Sequence, residues 1–418
     1  MTDTSDTGPV LAADGTPLKK KLAQALFVSR ARAFGLVAPL LFFIIASFVV
    51  PIAALMVQGV KNDTFSKYMP QTTAVLADWD VETEPTEEMF AALVADLIVT
   101  RQEKTIGRVA TRVNRELSGS RSMFTKTARK AAKLEPPFRE ALLDIDEDWA
   151  DIELWQAMKI SSMKYSPAFY AAALDYEYKA DGSFERLPEQ DRIYVYLFVK
   201  TIIISAVVTI ATLILGYPVA WLLANLPMRQ SNLLMILVLL PFWTSLLVRT
   251  TAWIAMLQSQ GVLNNIFVWL GITDDANRFS LIYNMTGTII AMTHILLPFM
   301  ILPLYSVMKG IPPAYVRAAK SLGANDWTAF WRVYFPNTIP GIGAGGLLVF
   351  ILAIGYYITP ALVGGQDGQM ISNFIAYHMQ KSLNWSLAAA LGGILLMIVL
   401  VIYWIYDKVV GIDNMKMG

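Results

Sequence analysis

Apolar residues in this chain fall into long runs. Six of them exceed about 18 residues, the length needed to cross a bilayer as a helix: 34–59, 196–223, 233–257, 281–307, 339–362 and 385–406. The last five follow one another closely. Between the first and the second lies a polar segment, 60–195, in which apolar positions recur at helical spacing instead. Pro85, Thr86 and Glu87 mark a helix start, with Phe90, Leu93, Val94 and Leu97 on its apolar face. Phe138, Leu142, Ile145, Trp149, Ile152 and Trp155 form a second stripe. The stretch 101–133 is basic and weakly apolar, and reads as an exposed helix. The expected fold is an all-α polytopic membrane protein of six transmembrane helices, with a helical insertion between the first two.

Composition agrees: 55% of residues are hydrophobic and 16% charged, with a mean hydropathy of +0.47. A net charge of +1 gives no bulk attraction to nucleic acid. The chain has no cysteine, hence no disulfide, thiol catalysis or thiolate metal site, and two histidines, His294 and His378, build no cluster. No metal site is expected. Residues 1–18 are polar and Lys19, Lys20 and Lys21 precede a run too long for a signal peptide, so 1–33 reads as a tail before a retained span.

Lys and Arg in the short loops set the orientation. Arg30 and Arg32 join the three lysines of the N-terminal tail. Arg229, then Lys309, Arg317, Lys320 and Arg332, then Lys408 and Lys416, fall on that same side, while the opposite short loops hold Arg278 and Lys381. Both termini, including the tail 409–418, are therefore expected in the cytoplasm and the insertion outside. The insertion holds 24 of the chain's 33 acidic residues and 18 of its 34 basic ones. It reads as a cap on the outer surface or as a docking surface for an external partner.

Chemistry inside the runs is sparse. The phosphate-binding pattern GxxxxGK[ST] is absent. Residues 340–346, PGIGAGG, open a span and follow no strand, so Gly341 and Gly345 read as a helix-packing GxxxG. Lys200, Arg249 and His294 are the main ionisable residues within the runs, without an Asp or Glu among them. Lys200 and Arg249 fall near the outer surface, within snorkelling reach. His294 fits an interhelical hydrogen bond better than a proton relay. Pro241 can break the third run, placing Trp243, Thr244, Arg249 and Trp253 around freed backbone carbonyls. With Tyr356 and Tyr357, these residues are candidates for a substrate pathway, and packing or lipid contact is their structural alternative.

The stretch 313–336, PAYVRAAKSLGANDWTAFWRVYFP, is too charged to span and too patterned for a slack loop. Pro312 and Pro313 suit a helix start, Gly323 a left-handed C-terminal cap, and Asn325 or Asp326 the cap of a second helix that Pro336 ends. Tyr315, Ala318, Ala319 and Leu322 share one face. Trp327, Phe330, Trp331 and Tyr334 share another. A small pair, Ala318 and Ala319, suits close protein contact.

At these residues the chain resembles the EAA loop of binding-protein-dependent ABC transporter permeases. Ala318, Ala319 and Gly323 match, and Val333 to Pro336 follow at the family's spacing. Arg317 stands where the family has glutamate. PFWTSLLVRTTAW, GVLNN, LPFMILPLYSVM, ITPALVGG and NWSLAAAL resemble the spermidine/putrescine permease subfamily, with Thr251 where that subfamily often has tyrosine. The resemblance covers about half the chain and leaves the N-terminal tail and the insertion outside. It implies a type I ABC importer core over 196–408, in a bacterial inner membrane. This chain would pair with a second permease as a heterodimer. It would work with two ATPase subunits that carry ATP and Mg, and with an external solute-binding protein, holding no cofactor itself and catalysing no covalent step. The 310–336 loop, through Arg317, Ala318, Ala319, Gly323 and Pro336, would couple it to the ATPase. The implied cargo is a polyamine, or another small organic solute. An ion-coupled secondary transporter and a membrane scaffold are the alternatives from other classes.

Overall fold

The computed structural model describes residues 17–408. Residues 1–16 and 409–418, which hold parts of both expected tails, lie outside the described residues. The chain divides into two units, Met1–Val57 and Gln58–Gly418.

In the first unit, α1 (Leu18–Ile44), a π turn (Ile45–Val49) and α2 (Val50–Gln58) run as one apolar helix, Lys20–Gln58, of 39 residues. It begins well before residue 34 because the preceding stretch, KKKLAQALFVSRARA, is rich in strong helix formers. The π turn lies just before Pro51, whose missing N–H leaves the Ser47 carbonyl without its usual donor.

In the second unit the insertion comes first. Its helices are α3 (Thr64–Tyr68), α4 (Pro70–Ala77), α5 (Glu87–Gln102), α6 (Ile106–Val113), α7 (Ser120–Lys130), α8 (Phe138–Leu143), α9 (Ile152–Ser162) and α10 (Ala168–Ala173). Thr86 precedes α5, and Phe90, Leu93, Val94 and Leu97 are buried as expected. The second stripe is also inward, but it is three pieces: α8, a 3-10 turn (Glu147–Ala150) and α9. The 101–133 stretch corrects the expectation of an exposed helix. It forms α6 and α7, whose Val109, Val113, Met123 and Phe124 are buried in the same core. Their cations sit mostly on the outward faces, and that hides the apolar face from a composition count. Phe90 stacks edge-on to Trp155 at 4.9 Å, and Phe124 to Trp149 at 5.2 Å. A hairpin follows, β1 (Tyr176–Tyr178) antiparallel to β2 (Phe184–Arg186), with Tyr178 opposite Phe184.

The membrane core begins with α11 (Tyr194–Asn225). Then come α12 (Met228–Leu239), a 3-10 turn (Leu240–Trp243), α13 (Leu246–Leu257) and α14 (Val262–Trp269). After them lie α15 (Met285–Gly310), α16 (Pro313–Ser321), α17 (Asp326–Ala329), a π turn (Phe330–Tyr334) and α18 (Phe335–Ile354). The last three are α19 (Ile358–Val363), α20 (Ile371–Gln380) and α21 (Trp385–Tyr406). Among the described residues five helices are long and apolar enough to cross a membrane, and a sixth span exists if the bent pair Met228–Trp243 and Leu246–Trp269 is taken together.

One expectation holds and two need correcting. The third run breaks, as Pro241 allows: its halves meet at 98°. The break falls at Thr244 and Ser245, both extended, just after the 3-10 turn that contains Pro241, and Ser245 restarts the helix by accepting from the Val248 amide at 3.2 Å. The fifth span is not 339–362. It runs continuously over Asp326–Ile354, and 358–363 is the separate helix α19. Pro336 does not end the second loop helix. It sits at the start of α18, where a proline's missing donor costs little, and the π turn just before it absorbs the mismatch.

The packing centre is α11, α15 and α18, around Ile204, Val208, Met292, Met300, Leu304 and Val349. Gly345 faces α15 so closely that a Cβ there would stand 2.9 Å from the Met300 sulfur and 3.2 Å from its carbonyl oxygen. The GxxxG is thus a helix-contact device, as its sequence suggests.

Candidate functional site

Two groups of side chains stand out, one at the end of the core away from the insertion and one at the broken span.

The first is the two-helix element after α15. Helix α16 ends in a paired cap: the Gly323 amide donates to the Lys320 carbonyl at 3.0 Å and the Ala324 amide to Ala319 at 3.0 Å. Gly323 has φ +92°, the left-handed region, and nothing lies within 4 Å of where its Cβ would be. Its requirement is therefore backbone conformation, not space. Asn325 accepts from the Thr328 amide at 2.8 Å and starts α17. The aromatic face divides in two. Phe330 and Phe335 stack on Tyr217 of α11, whose hydroxyl meets that of Thr338 at 3.2 Å. Leu322 and Trp327 point outward, 89% and 71% exposed, beside exposed Tyr315. Ala318 is exposed and Ala319 half-buried. The element therefore has an anchored inner side and an open apolar outer side. Because Asp326–Ile354 is one helix, the outer side is continuous with a span.

Arg317 is exposed on α16, and its guanidinium has no ion pair among the described residues. The neighbouring Lys320 pairs with Asp326 across the turn.

The second group gathers Arg249, Trp253, His294 and Tyr356. The Trp253 indole N–H donates to His294 Nδ1 at 3.1 Å, joining α13 to α15, with ring centroids 5.2 Å apart. This is the interhelical bond anticipated for His294. Arg249 lies within electrostatic reach of both His294 and Tyr356. It is half-buried, and its Nε is buried with no hydrogen-bond partner. Thr250 of α13 meets Thr359 of α19 at 3.4 Å. The backbone carbonyls of Tyr356 and Tyr357 accept from Ser372 at 2.6 Å and Asn373 at 2.8 Å, which fixes the α18–α19 link. Trp243 and Thr244 do not join this group. Trp243 is 73% exposed at the break, and the Thr244 hydroxyl donates to the Pro241 carbonyl at 2.9 Å. Lys200 lies over the Tyr196 ring at 5.6 Å, at the insertion end of α11. The second group is thus a cation flanked by aromatic rings, with no carboxylate in it. That arrangement can hold an anion or stack on a planar group.

Sequence reasoning missed the joint between insertion and core. Asp175 accepts from the amides of Ile193, Tyr194 and Val195 at 2.9–3.2 Å, capping the long α11. His378 accepts or donates to the Tyr194 hydroxyl at 2.9 Å and to Ser382 at 2.9 Å. Arg115 of the insertion donates to the Leu383 carbonyl at 3.0 Å. Burial, with a further push from the Arg115 charge, holds the His378 imidazole below its ordinary value of 6.5. No local pattern signals these contacts, since the partners lie far apart in sequence. The hairpin was missed as well, although Asp181-Gly182 between Tyr178 and Phe184 is a turn signal.

Comparison with known proteins now gives the class. A family model described as binding-protein-dependent transport system inner membrane component matches residues 212–410. The spermidine/putrescine transport system permease protein PotB of Escherichia coli (strain K12) is 36% identical over 217 residues, covering 51% of this chain and 78% of that protein. A probable sulfate transport system permease protein, cysT of Zygnema circumcarinatum, is 27% identical over 214 residues, covering 50% and 72%. Among solved structures, a bacterial ABC transporter involved in the import of the acidic polysaccharide alginate overlaps 55% of this chain and 81% of that chain, at 17% identity and a TM-score of 0.45. The chain belongs to the family of binding-protein-dependent transport system inner membrane components. The family match begins at residue 212, so the insertion lies outside it.

Proposed function

We propose that this chain is the membrane-spanning permease subunit of an ATP-driven importer, carrying a small organic solute that an external binding protein delivers. The observation that carries the reading is the element after α15: an open apolar face of Tyr315, Leu322 and Trp327, of which Trp327 lies in the same helix as a span. A partner seated on that face moves the span with it. Arg317, Ala318, Ala319, Gly323 and Pro336 belong to this coupling element, with ATP and Mg on the ATPase subunits. It faces the cytoplasm, as the Lys and Arg distribution requires, and the insertion faces outward. A second permease completes the pathway, which Arg249, Trp253 and Tyr356 line in this chain. Trp243, Thr244 and Tyr357 border it at the break and at the α18–α19 link.

Relatedness to PotB supports a polyamine as cargo. One observation favours a second reading. The described pathway residues offer the unpaired Arg249 and no acid, so a polycation needs carboxylates from the second permease. An anionic solute, as the name of the sulfate permease relative suggests, meets Arg249 directly. Thermal-shift screening of the cognate binding protein against putrescine, spermidine and sulfate separates the two, since ligand stabilises the native state. Stabilisation by either amine supports the polyamine reading. Stabilisation by sulfate alone overturns it.

A further inference from the structure

Beneath the coupling element lies a cavity of about 650 Å³, between the ends of α11 and α15 and the inner faces of α16 and α17. Its wall is mainly apolar: Trp221, Met308, Ile311, Val316 and Phe330. Its remaining lining carries Lys309, Arg317 and Lys320, against one carboxylate, Asp326, which Lys320 already engages. Lys309 donates once, to the Ala224 carbonyl at 3.1 Å, and an ammonium has three donors. Arg317 has no ion pair among the described residues. The lining also includes Tyr334, which is 8% exposed and whose buried hydroxyl lies within reach of the Asn225 side chain.

We infer that this cavity binds an anionic phospholipid, its phosphate held by Lys309 and Arg317 and its acyl chain laid on Trp221, Val316 and Phe330. The position fits, because α11 ends at Asn225 and α15 at Gly310, where spans reach the headgroup layer. Basic pockets between span ends suit such headgroups. A free phosphate has no use for the apolar wall, and a zwitterionic lipid gains less from two unpaired cations. Exposed Leu322 and Trp327 are not among its lining residues, so lipid there leaves them open. The site stands independently of any contact with an ATPase.

Native mass spectrometry of the full-length protein in detergent tests this. Phosphatidylglycerol and phosphatidylcholine of matched chains are titrated, with inorganic phosphate as competitor. Phosphatidylglycerol is expected to bind about tenfold more tightly than phosphatidylcholine. Lys309→Gln with Arg317→Gln should erase that preference, and Ala224→Trp, which fills the apolar part, should weaken both lipids. Millimolar inorganic phosphate should not displace the lipid. Equal binding of the two lipids, a preference that survives the double variant, or full displacement by phosphate would each overturn the site. So would a photo-crosslink from position 316 to a partner protein with lipid adducts unchanged by the variants.

Discussion

The insertion and the membrane core solve packing in different ways. The insertion buries large aromatic rings, Phe65, Phe90, Phe124, Trp149 and Trp155, as water-surrounded domains do, because expelling water from apolar surface supplies the driving force. Its polar groups are tied within it. Asp96 accepts from the Thr72 amide and hydroxyl at 2.7 and 2.8 Å, and Arg112 donates to Asn62. The core exposes many of its large residues and, beside its buried aliphatic ones, adds small residues at its closest contacts: Gly341 and Gly345 against α15, and buried Ala388, Ala389 and Ala390 of α21. In lipid there is little hydrophobic gain between helices, so close backbone approach decides the contacts. The two regions should therefore fail separately, and to different substitutions.

The largest effect is expected from Trp149→Ala. The side chain is fully buried and its indole donates to Thr127 at 3.0 Å, so its loss should cost about 3–5 kcal/mol. Proteolysis should then cut the insertion while the spans stay protected. Simultaneous loss of span protection would refute separate packing. Gly345→Leu is the mirror test: it should cost about 1–3 kcal/mol by forcing α15 and α18 apart while leaving insertion protection unchanged. A uniform loss across both regions would show that they fold as one.

Smaller effects lie at the joint. Asp175→Ala removes the acceptor of three amides at the start of α11 and should cost about 1–2 kcal/mol. Hydrogen exchange should accelerate at 193–195 and not at the far end of the helix. The smallest is a pH effect. His378 is held below 6.5 in the folded protein, so the unfolded chain takes up its proton first as pH falls. The joint is at full strength above pH 6.5 and weakens below it, until the folded imidazole is itself protonated. Melting temperature should fall between pH 7 and pH 5.5, with a shallower slope in His378→Asn. Identical slopes would remove His378 from the account.

What was legible in the sequence follows from these differences. Long apolar runs reveal spans because every backbone group must be satisfied inside the segment, and α11, α15 and α21 fall where the runs do. Capping chemistry revealed the two-helix element after α15, since Gly323 and Asn325 act locally. Proline misled once and guided once. Pro336 lies inside a continuous helix, after a π turn. Pro241 does precede a break, which falls at Thr244 and Ser245. The buried face of α6 and α7 was hidden by the cations on their outer faces. Of the proposed pathway, the meeting of Arg249 with His294 and Tyr356 could not be read locally, because the three lie on separate elements, α13, α15 and the α18–α19 link.

The central claim is that the 313–336 element transmits ATP-driven motion to the spans. Gly323→Asp tests it most directly. Nothing lies within 4 Å of where its Cβ would stand, and aspartate tolerates the left-handed conformation better than most residues, so the protein should still fold and insert. A charge then stands between Leu322 and Trp327 on the open face. The measurement is ATP hydrolysis stimulated by loaded binding protein, in vesicles holding the complete transporter. The account expects that stimulation to be lost with membrane insertion intact. Wild-type stimulation in the variant would contradict it.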